Sequence, residues 1–205
     1  MFDIDDLNTI HLDTLREVGN IGAGNAATAL AKMLDKKIDM EVPDVKILHF
    51  SEVTNILGGE ENVVAGIYFG VSGDIEGNIM FLLDIDSSKI LTGMLMGKED
   101  DGSKELDEMD KSALQEVGNI LSGSYISSLS TLTNLSITLT VPSLCIDMAG
   151  AILSVPAIQF GYTSDKVVFI ETRLKSGHNL VKANFFLIPN TNSYENLLKS
   201  LGVYY

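Results

Sequence analysis

Two segments of this 205-residue chain each carry a glutamate followed three positions later by an asparagine. The pairs are Glu17 with Asn20 and Glu116 with Asn119, and both lie in the same pentapeptide, Glu-Val-Gly-Asn-Ile. Residues three apart on a helix are neighbours on its surface, so each pair would present a carboxylate beside a carboxamide. One bound partner could contact both groups at once. The bland alternative is that each pair is part of a solvated helix face.

The recurrence of the asparagine favours a function. Asparagine is a mediocre helix former in the middle of a helix, yet Asn20 and Asn119 occupy the same register, with glycines on both sides. A helical wheel places four positions of each helix opposite its apolar stripe. They are Asp13, Glu17, Asn20 and Gly24 in the first helix and Ser112, Glu116, Asn119 and Gly123 in the second. The predicted packing positions are Leu15, Val18, Gly22, Ala26, Ala29 and Met33 in the first helix and Leu114, Val117, Leu121, Tyr125, Ser128 and Leu132 in the second.

The chain repeats itself at an offset of 99 residues. Eleven of the 32 positions from Leu12 to Pro43 are identical to those from Lys111 to Pro142, and both segments end in Val-Pro. A repeat at a fixed offset indicates a duplicated structural unit, and two copies favour pseudo-two-fold packing over a solenoid. We therefore predict a single domain over residues 1–205, made of two repeats at about 10–97 and 109–203.

The predicted fold class is α/β (α+β): a duplicated helix-plus-strands unit in which two long helices flank an extended sheet. The switch from helix to strand is predicted near Lys36 and Leu135. Further strands are predicted to begin at Val63 and Val167 and to return over Asn78–Leu83 and Lys182–Ile188. The predicted closing helices are Ser87–Met96 and Asn192–Leu201, each ended by a glycine. The acidic segment from Gly97 to Glu105 is predicted to be a solvated linker.

Composition excludes several classes of protein. Twenty-eight acidic and 14 basic residues give a net charge of −14, which repels nucleic-acid phosphates and anionic lipid head groups. We expect neither a nucleic acid nor a membrane as partner. The most apolar stretch, Leu135–Tyr162, is interrupted by Pro142, Asp147 and Pro156, so it is predicted to form a buried strand and a packed helix rather than a membrane span. A single cysteine, Cys145, rules out an intrachain disulfide and indicates a reducing cytoplasm.

The sequence gives little support for a metal site or for a catalytic cysteine nucleophile. His11, His49 and His178 are scattered and have no clustered cysteine or histidine partner, so no metal site is predicted. Cys145 lies in an apolar stretch and is predicted to be a buried small hydrophobe rather than a nucleophile.

Three glycines surround Asn20. A phosphate-binding loop would need a strand before them and a helix that begins at them, whereas the helical pattern begins upstream near Leu12. Gly22 lies among the packing positions and is predicted to permit a close helix contact. Gly19 and Gly24 are predicted to leave room for the backbone of a docking protein.

The spacing of the polar residues resembles the CheC/CheX/FliY family of chemotaxis phosphatases. The family pattern is Asp or Ser, three residues, Glu, two residues, Asn, and twenty-two residues to Pro. Both repeats contain it in full, as Asp13, Glu17, Asn20 and Pro43 and as Ser112, Glu116, Asn119 and Pro142. Two intact copies in a chain of this length are most similar to the CheC type.

The resemblance implies an enzyme that removes phosphate from the aspartyl phosphate of the chemotaxis response regulator CheY. In that scheme Asn20 and Asn119 orient the attacking water, while Glu17 and Glu116 pair with a lysine of the regulator. The supporting positions would be Asp13, Ser112, Pro43 and Pro142. No cofactor of the chain's own is expected, since the bound regulator would supply Mg²⁺.

The resemblance also implies a second partner, the receptor-modifying deamidase CheD. Its contact would lie near Asp147 and Met148, although an apolar helix at Ile146–Ile152 could equally belong to the core. Two other functions stay open: a non-catalytic module that binds the phosphorylated regulator, and an adaptor whose main task is to regulate CheD. An unrelated enzyme with a buried pocket lacks a convergent catalytic set in this sequence.

Overall fold

The computed structural model describes residues 4, 7–97, 105–160 and 166–202. Most of the predicted acidic linker, residues 98–104, lies outside the described residues, as does the end of the apolar stretch at Tyr162. None of the helices in the described part of the chain is long and apolar enough to cross a membrane.

Helices and strands follow the same order in the two halves of the chain. The first half contains α1 (Thr9–Leu34), β1 (Asp39–His49), α2 (Phe50–Ile56), β2 (Val63–Gly73), β3 (Gly77–Asp84) and α3 (Ile85–Met96). The second half contains α4 (Glu108–Thr133), β4 (Ile137–Leu139), β5 (Ser143–Met148), α5 (Ala149–Phe160), β6 (Lys166–Ser176), β7 (Asn179–Pro189) and α6 (Thr191–Ser200). The one departure is that two short strands, β4 and β5, stand where the first half has the single strand β1.

The seven strands in the described part of the chain form one sheet, in which every pair of neighbouring strands is antiparallel. The strand order is β1-β6-β7-β3-β2, and β4 and β5 both pair with the outer side of β2. In the two halves, β3 corresponds to β7, β2 to β6, and β1 to β4 with β5. Exchanging each strand for its counterpart gives the same strand order, read from the opposite edge of the sheet. The predicted pseudo-two-fold arrangement is therefore confirmed, with its axis between β3 and β7.

The sheet is covered on both faces, since successive side chains of a strand point to opposite sides. In β3, Ile79, Phe81 and Leu83 belong to the core cluster that contains the long helices α1 and α4. Met80 and Leu82, between them, belong to the cluster that contains α2 and α5. Both long helices thus lie on the same face of the sheet, and their outer surfaces are accessible together.

Equivalent caps fix the two long helices in the same register. Each helix has 26 residues. The side chains of Asn8 and Asp107, 99 residues apart, accept hydrogen bonds from the first-turn N–H groups of α1 and α4. Each helix ends at a left-handed residue, Asp35 with φ 50° and Asn134 with φ 57°. The Glu/Asn pairs therefore lie on the same turn of their helices, although these caps were not among the sequence predictions.

The long helices touch each other at Gly22, as predicted. A Cβ atom at Gly22 would lie 2.9 Å from the Cα atom of Tyr125 on α4. The ring of Tyr125 packs against that of Phe185 in the sheet, with 4.9 Å between centroids. Burial raises the pKa of the Tyr125 hydroxyl above its ordinary value, so the group is neutral at physiological pH. The contact joins the helices that carry the two candidate sites.

Several sequence predictions need correction. The seven-residue helix α2 was not predicted. Met33 and Leu132, predicted to pack, are 46% and 48% exposed at the ends of their helices. Helix packing instead uses neighbouring positions such as Leu30 and Leu129, each 1% exposed, because the stripe rotates slowly around a long helix.

The prediction that Leu135–Tyr162 is a buried segment is also wrong in part. Cys145 is exposed. Val141, Val155 and Ile158 are 87%, 57% and 74% exposed, because Val141 lies in the gap between the edge strands β4 and β5 and α5 has one face open to solvent.

Candidate functional site

The first candidate site lies near the N-terminal end of α1. Glu17 is exposed and forms no ion pair with another described residue. Asp13, one turn earlier, is exposed and its carboxylate lies 2.9 Å from the guanidinium of Arg16. Exposed ion pairs of this kind contribute little to stability, so Asp13 can exchange Arg16 for a group on a partner.

Asn20 of the same site is half-buried, and both ends of its carboxamide are hydrogen-bonded to one residue. Its Oδ1 accepts a hydrogen bond from the N–H of Val42 at 2.9 Å. Its Nδ2 donates to the carbonyl oxygen of Val42 at 3.3 Å. The prediction that Asn20 is held out to solvent is therefore wrong in this respect: the side chain reaches the surface but its amide is bonded to β1.

The second candidate site, on α4, is more open. Glu116 and Asn119 are both exposed. The Asn119 carboxamide makes no hydrogen bond to any residue in the described ranges of the chain. Ser112 is exposed one turn before Glu116. This arrangement confirms the prediction of an accessible carboxylate and carboxamide on one helix face.

The strand segment after each helix distinguishes the two sites. Pro43 lies inside β1, where the pairing with β6 shifts register between Glu41 and Asp44. A proline is tolerated there because an edge strand at a bulge needs no N–H at that position. Pro142 lies instead in the gap between β4 and β5, where its carbonyl oxygen accepts a long hydrogen bond of 3.5 Å from the Nε2 of Gln115. Each proline lies close to its helix, at the edge of the candidate site.

The glycines near the two sites have different roles. Gly24 and its equivalent Gly123 have open space where a Cβ atom would be, so a partner's backbone can approach there, as predicted for Gly24. The same prediction is wrong for Gly19, which is buried against the side chain of Val42: an added Cβ atom would lie 3.3 Å from the Val42 methyl carbons.

In the described part of the chain, the Glu/Asn side chains lie on helix surfaces and away from the groove between α1, α3 and the β6–β7 turn. A groove of about 700 Å³ lies between the C-terminal end of α1, helix α3 and the β6–β7 turn, and none of the four Glu/Asn residues lines it. Within residues 4, 7–97, 105–160 and 166–202, no group of three His, Cys, Asp or Glu side chains is arranged to hold a metal ion. The exposed pairs are instead suited to a macromolecular partner.

Asp147 and Met148 lie at the end of β5 rather than in a helix. Both are exposed, and the Asp147 carboxylate accepts a hydrogen bond from the N–H of Met148 at 2.8 Å. Met148, Val155 and Ile158 are 46%, 57% and 74% exposed. Val155 and Ile158, three residues apart, are neighbours on the exposed face of α5, and Met148 lies directly before this helix. These three exposed apolar residues are here called the α5 strip.

The fold and the two Glu/Asn pairs on its long helices, of which the α4 pair is exposed at both residues, define a duplicated α+β protein with paired candidate sites for a macromolecule. A sequence profile described as the CheC-like family matches residues 10–47 and 109–146, the two segments that contain the pairs. The chain is 38% identical over 195 residues to the protein named CheY-P phosphatase CheC of Bacillus subtilis, with 93% of each chain covered. The chain therefore belongs to the CheC-like family.

Two FliY proteins are also similar to this chain. The flagellar motor switch phosphatase FliY of Bacillus subtilis is 29% identical over 141 residues, which are 68% of this chain and 36% of that protein. The crystal structure of Thermotoga maritima FliY superposes with a TM-score of 0.78 at 24% identity, covering 96% of this chain and 98% of that one. At this identity the superposition shows the fold alone.

Proposed function

We propose that this chain hydrolyses the aspartyl phosphate of a CheY-type response regulator. The observation that carries the proposal is the pair of exposed carboxylate and carboxamide groups on α4, Glu116 and Asn119, repeated on α1 as Glu17 and Asn20. Membership of the family and the name of the Bacillus subtilis relative support it.

The reaction requires little chemistry from the chain itself. A phosphorylated aspartate is expected to bring its own lysine and Mg²⁺, which stabilise the charge of the transferring phosphoryl group. The missing part is a water held in line with the phosphorus. The water oxygen bonds to phosphorus, the bond from phosphorus to the aspartyl oxygen breaks, and the water proton leaves with the inorganic phosphate. Free aspartate is restored and no covalent intermediate forms on this chain.

The carboxamide of Asn119, and of Asn20 once it is free, is suited to hold that water. An amide oxygen accepts a hydrogen bond while the amide nitrogen donates one, so a single side chain fixes both the position and the orientation of a water. Holding a reactant in line lowers the entropic part of the barrier. Asp13, Ser112, Pro43 and Pro142 support the site by flanking the helix face and fixing the adjacent strand segment.

Timed release of phosphate tests the proposal. A purified CheY-type regulator is phosphorylated with a small phosphodonor, and loss of phosphate is followed with and without this chain. We expect the chain to speed the loss catalytically, at a ratio well below one chain per regulator. A regulator that keeps its phosphate for the same time, or longer, would favour the non-catalytic binding module.

The glutamates are proposed to dock the regulator through its lysine. Replacing Glu17 and Glu116 together by glutamine keeps their size and removes two charges from an exposed face. We expect roughly tenfold weaker binding of the phosphorylated regulator and a shallower dependence of binding on salt, because one charge-assisted hydrogen bond is lost at each site. Titration by fluorescence anisotropy at two salt concentrations measures both effects.

The matched control for that variant replaces Glu60 and Glu61 by glutamine. Both are exposed in the loop before β2 and lie away from α1 and α4. This control also removes two charges, so it separates the local effect from the change in net charge. Equal losses of affinity in the two double variants would assign the effect to net charge and contradict the docking role.

A second partner, CheD, is proposed to contact the α5 strip together with Asp147. The family resemblance suggests the partner, and the strip supplies an apolar surface of the kind that marks protein interaction sites. Replacing Met148 and Ile158 by serine should weaken CheD binding by about tenfold or more, since buried apolar anchors dominate such interfaces. Leu180→Ser, at a residue 43% exposed on β7, is the control. Unchanged CheD affinity in the double variant would contradict this assignment.

A further inference from the structure

We infer that the second site, Glu116 with Asn119, carries most of the activity, because two hydrogen bonds to the main chain of Val42 hold the Asn20 carboxamide against β1 and keep it from turning toward a water. This inference rests on the proposed function. It assigns a positioning role to Val42, and it implies that two sites with the same motif differ in activity.

Both ends of the Asn20 carboxamide are occupied by the same residue. The N–H of Val42 donates to Oδ1 at 2.9 Å, and Nδ2 donates to the Val42 carbonyl oxygen at 3.3 Å. A strand pairs with its neighbour in the same way, by exchanging one N–H and one C=O at a residue. Asn20 therefore substitutes for a neighbouring strand at the point where the bulge takes Val42 out of its pairing with β6.

The side chain of Val42 keeps this arrangement in place. It is 4% exposed and packs on Gly19, where its methyl carbons would lie 3.3 Å from an added Cβ atom. Moving the Val42 main chain away from Asn20 would pull that side chain out of the core. The two hydrogen bonds and the buried valine together form what we call the Val42 latch.

No such latch exists at the second site. Val141, the equivalent of Val42, is 87% exposed, and Asn119 has no hydrogen-bond partner in the described part of the chain. The strand is interrupted here because Thr140 ends the pairing with β2. The N–H of Thr140 donates to the carbonyl oxygen of Gly70 at 2.9 Å, and its hydroxyl accepts from the N–H of Gly70 at 2.8 Å.

A different residue fills the space that Val42 fills in the first repeat. Gly118, the equivalent of Gly19, is covered by Ile67 of β2, whose Cδ1 atom would lie 2.7 Å from an added Cβ atom. Because Ile67 already closes the core at this point, Val141 is not drawn inward. The carboxamide of Asn119 therefore stays free, and it can take a water without breaking any bond within the protein.

The latch lowers the fraction of molecules in which the first site is ready to hold the attacking water. Two neutral hydrogen bonds to Val42 must be given up before the Asn20 carboxamide can turn toward a water, which reduces the ready population roughly tenfold. The first site should then contribute about a tenth of the activity of the second.

Single variants measure the contribution of each site. In the phosphate-release assay, Asn119→Ala should keep about a tenth of the acceleration and Asn20→Ala about nine-tenths of it. Equal losses, or a larger loss from Asn20→Ala, would overturn the inference and leave the proposed function intact. A wild-type chain that gives no acceleration would instead refute the proposed function, and this inference with it.

Amide hydrogen exchange tests the latch without any reaction. The Val42 N–H should be protected in the wild-type chain, and Asn20→Ala should speed its exchange at least tenfold while the amides of β3 keep their protection. Asn119→Ala should leave the Val141 N–H unchanged, because no latch holds it. Fast exchange at Val42 in the wild-type chain would show that Asn20 is free, which would overturn the inference.

Discussion

Replacing both asparagines, Asn20→Ala with Asn119→Ala, should abolish the acceleration of regulator dephosphorylation. The glutamates and the docking surface are retained, so the phosphorylated regulator should still bind. What is lost is the group proposed to hold the water, and loss of one positioned catalytic group costs about 10²–10³-fold. Phosphate release then returns to the rate of the regulator alone, whereas a fluorescence titration should show binding within about threefold of the wild type.

The double variant should lose little stability, and the loss should come from the replacement of Asn20. Asn119 makes no bond within the described protein and alanine is the better helix former, so its replacement should be neutral or slightly stabilising. Loss of Asn20 removes the two hydrogen bonds to the N–H and C=O of Val42, which should cost about 1 kcal/mol of unfolding free energy. Thermal unfolding of each variant separates this loss from the loss of catalysis.

A matched control uses the same two helices. Thr28 and Ser127 are exposed and 99 residues apart, so they occupy equivalent positions two turns beyond the asparagines. Replacing both by alanine should leave the rate of dephosphorylation unchanged, since neither side chain is near the proposed water. Full activity in the asparagine double variant would contradict the assigned chemistry, whatever the control shows.

The sequence predicted the positions of the two sites because they depend on local periodicity. An apolar stripe that recurs along each long helix determines which side of that helix meets the sheet. The duplicated pentapeptide then places Glu17 and Glu116 on the opposite side without reference to the rest of the fold. Strand positions were predicted for a similar reason, since β-branched runs such as that beginning at Val63 have a clear period and clear turns.

The difference between the sites was not predictable from the same patterns. Val-Pro follows each helix at the same distance, yet Val42 is 4% exposed and Val141 is 87% exposed. The cause lies in the tertiary structure. Ile67 of β2, about fifty residues before Gly118, covers this glycine, which Val141 would otherwise cover. Helix α2 was missed for another reason, since seven residues are too few to show a helical period.

Gly22→Ala should destabilise the protein by about 1–3 kcal/mol, because the added methyl group has no space. Its Cβ atom would lie 2.9 Å from the Cα atom of Tyr125 and 3.4 Å from the Tyr125 nitrogen. These are backbone atoms of α4 and cannot turn aside as a side chain could, so α1 and α4 must separate. Urea unfolding followed by circular dichroism measures the loss, and Tm should fall by about 2–4 °C for each kcal/mol.

Gly123→Ala, on α4, should have the opposite effect on stability. Gly123 lies in the middle of α4, and an added Cβ atom would meet nothing within 4 Å. Alanine has the higher helix propensity, so this change should stabilise the protein by about 0.5–1 kcal/mol. The two substitutions add the same methyl group to a helical glycine, so opposite signs would isolate the helix contact as the cause. If Gly22→Ala were also neutral or stabilising, the close approach of α1 and α4 could not be what fixes the spacing between the two sites.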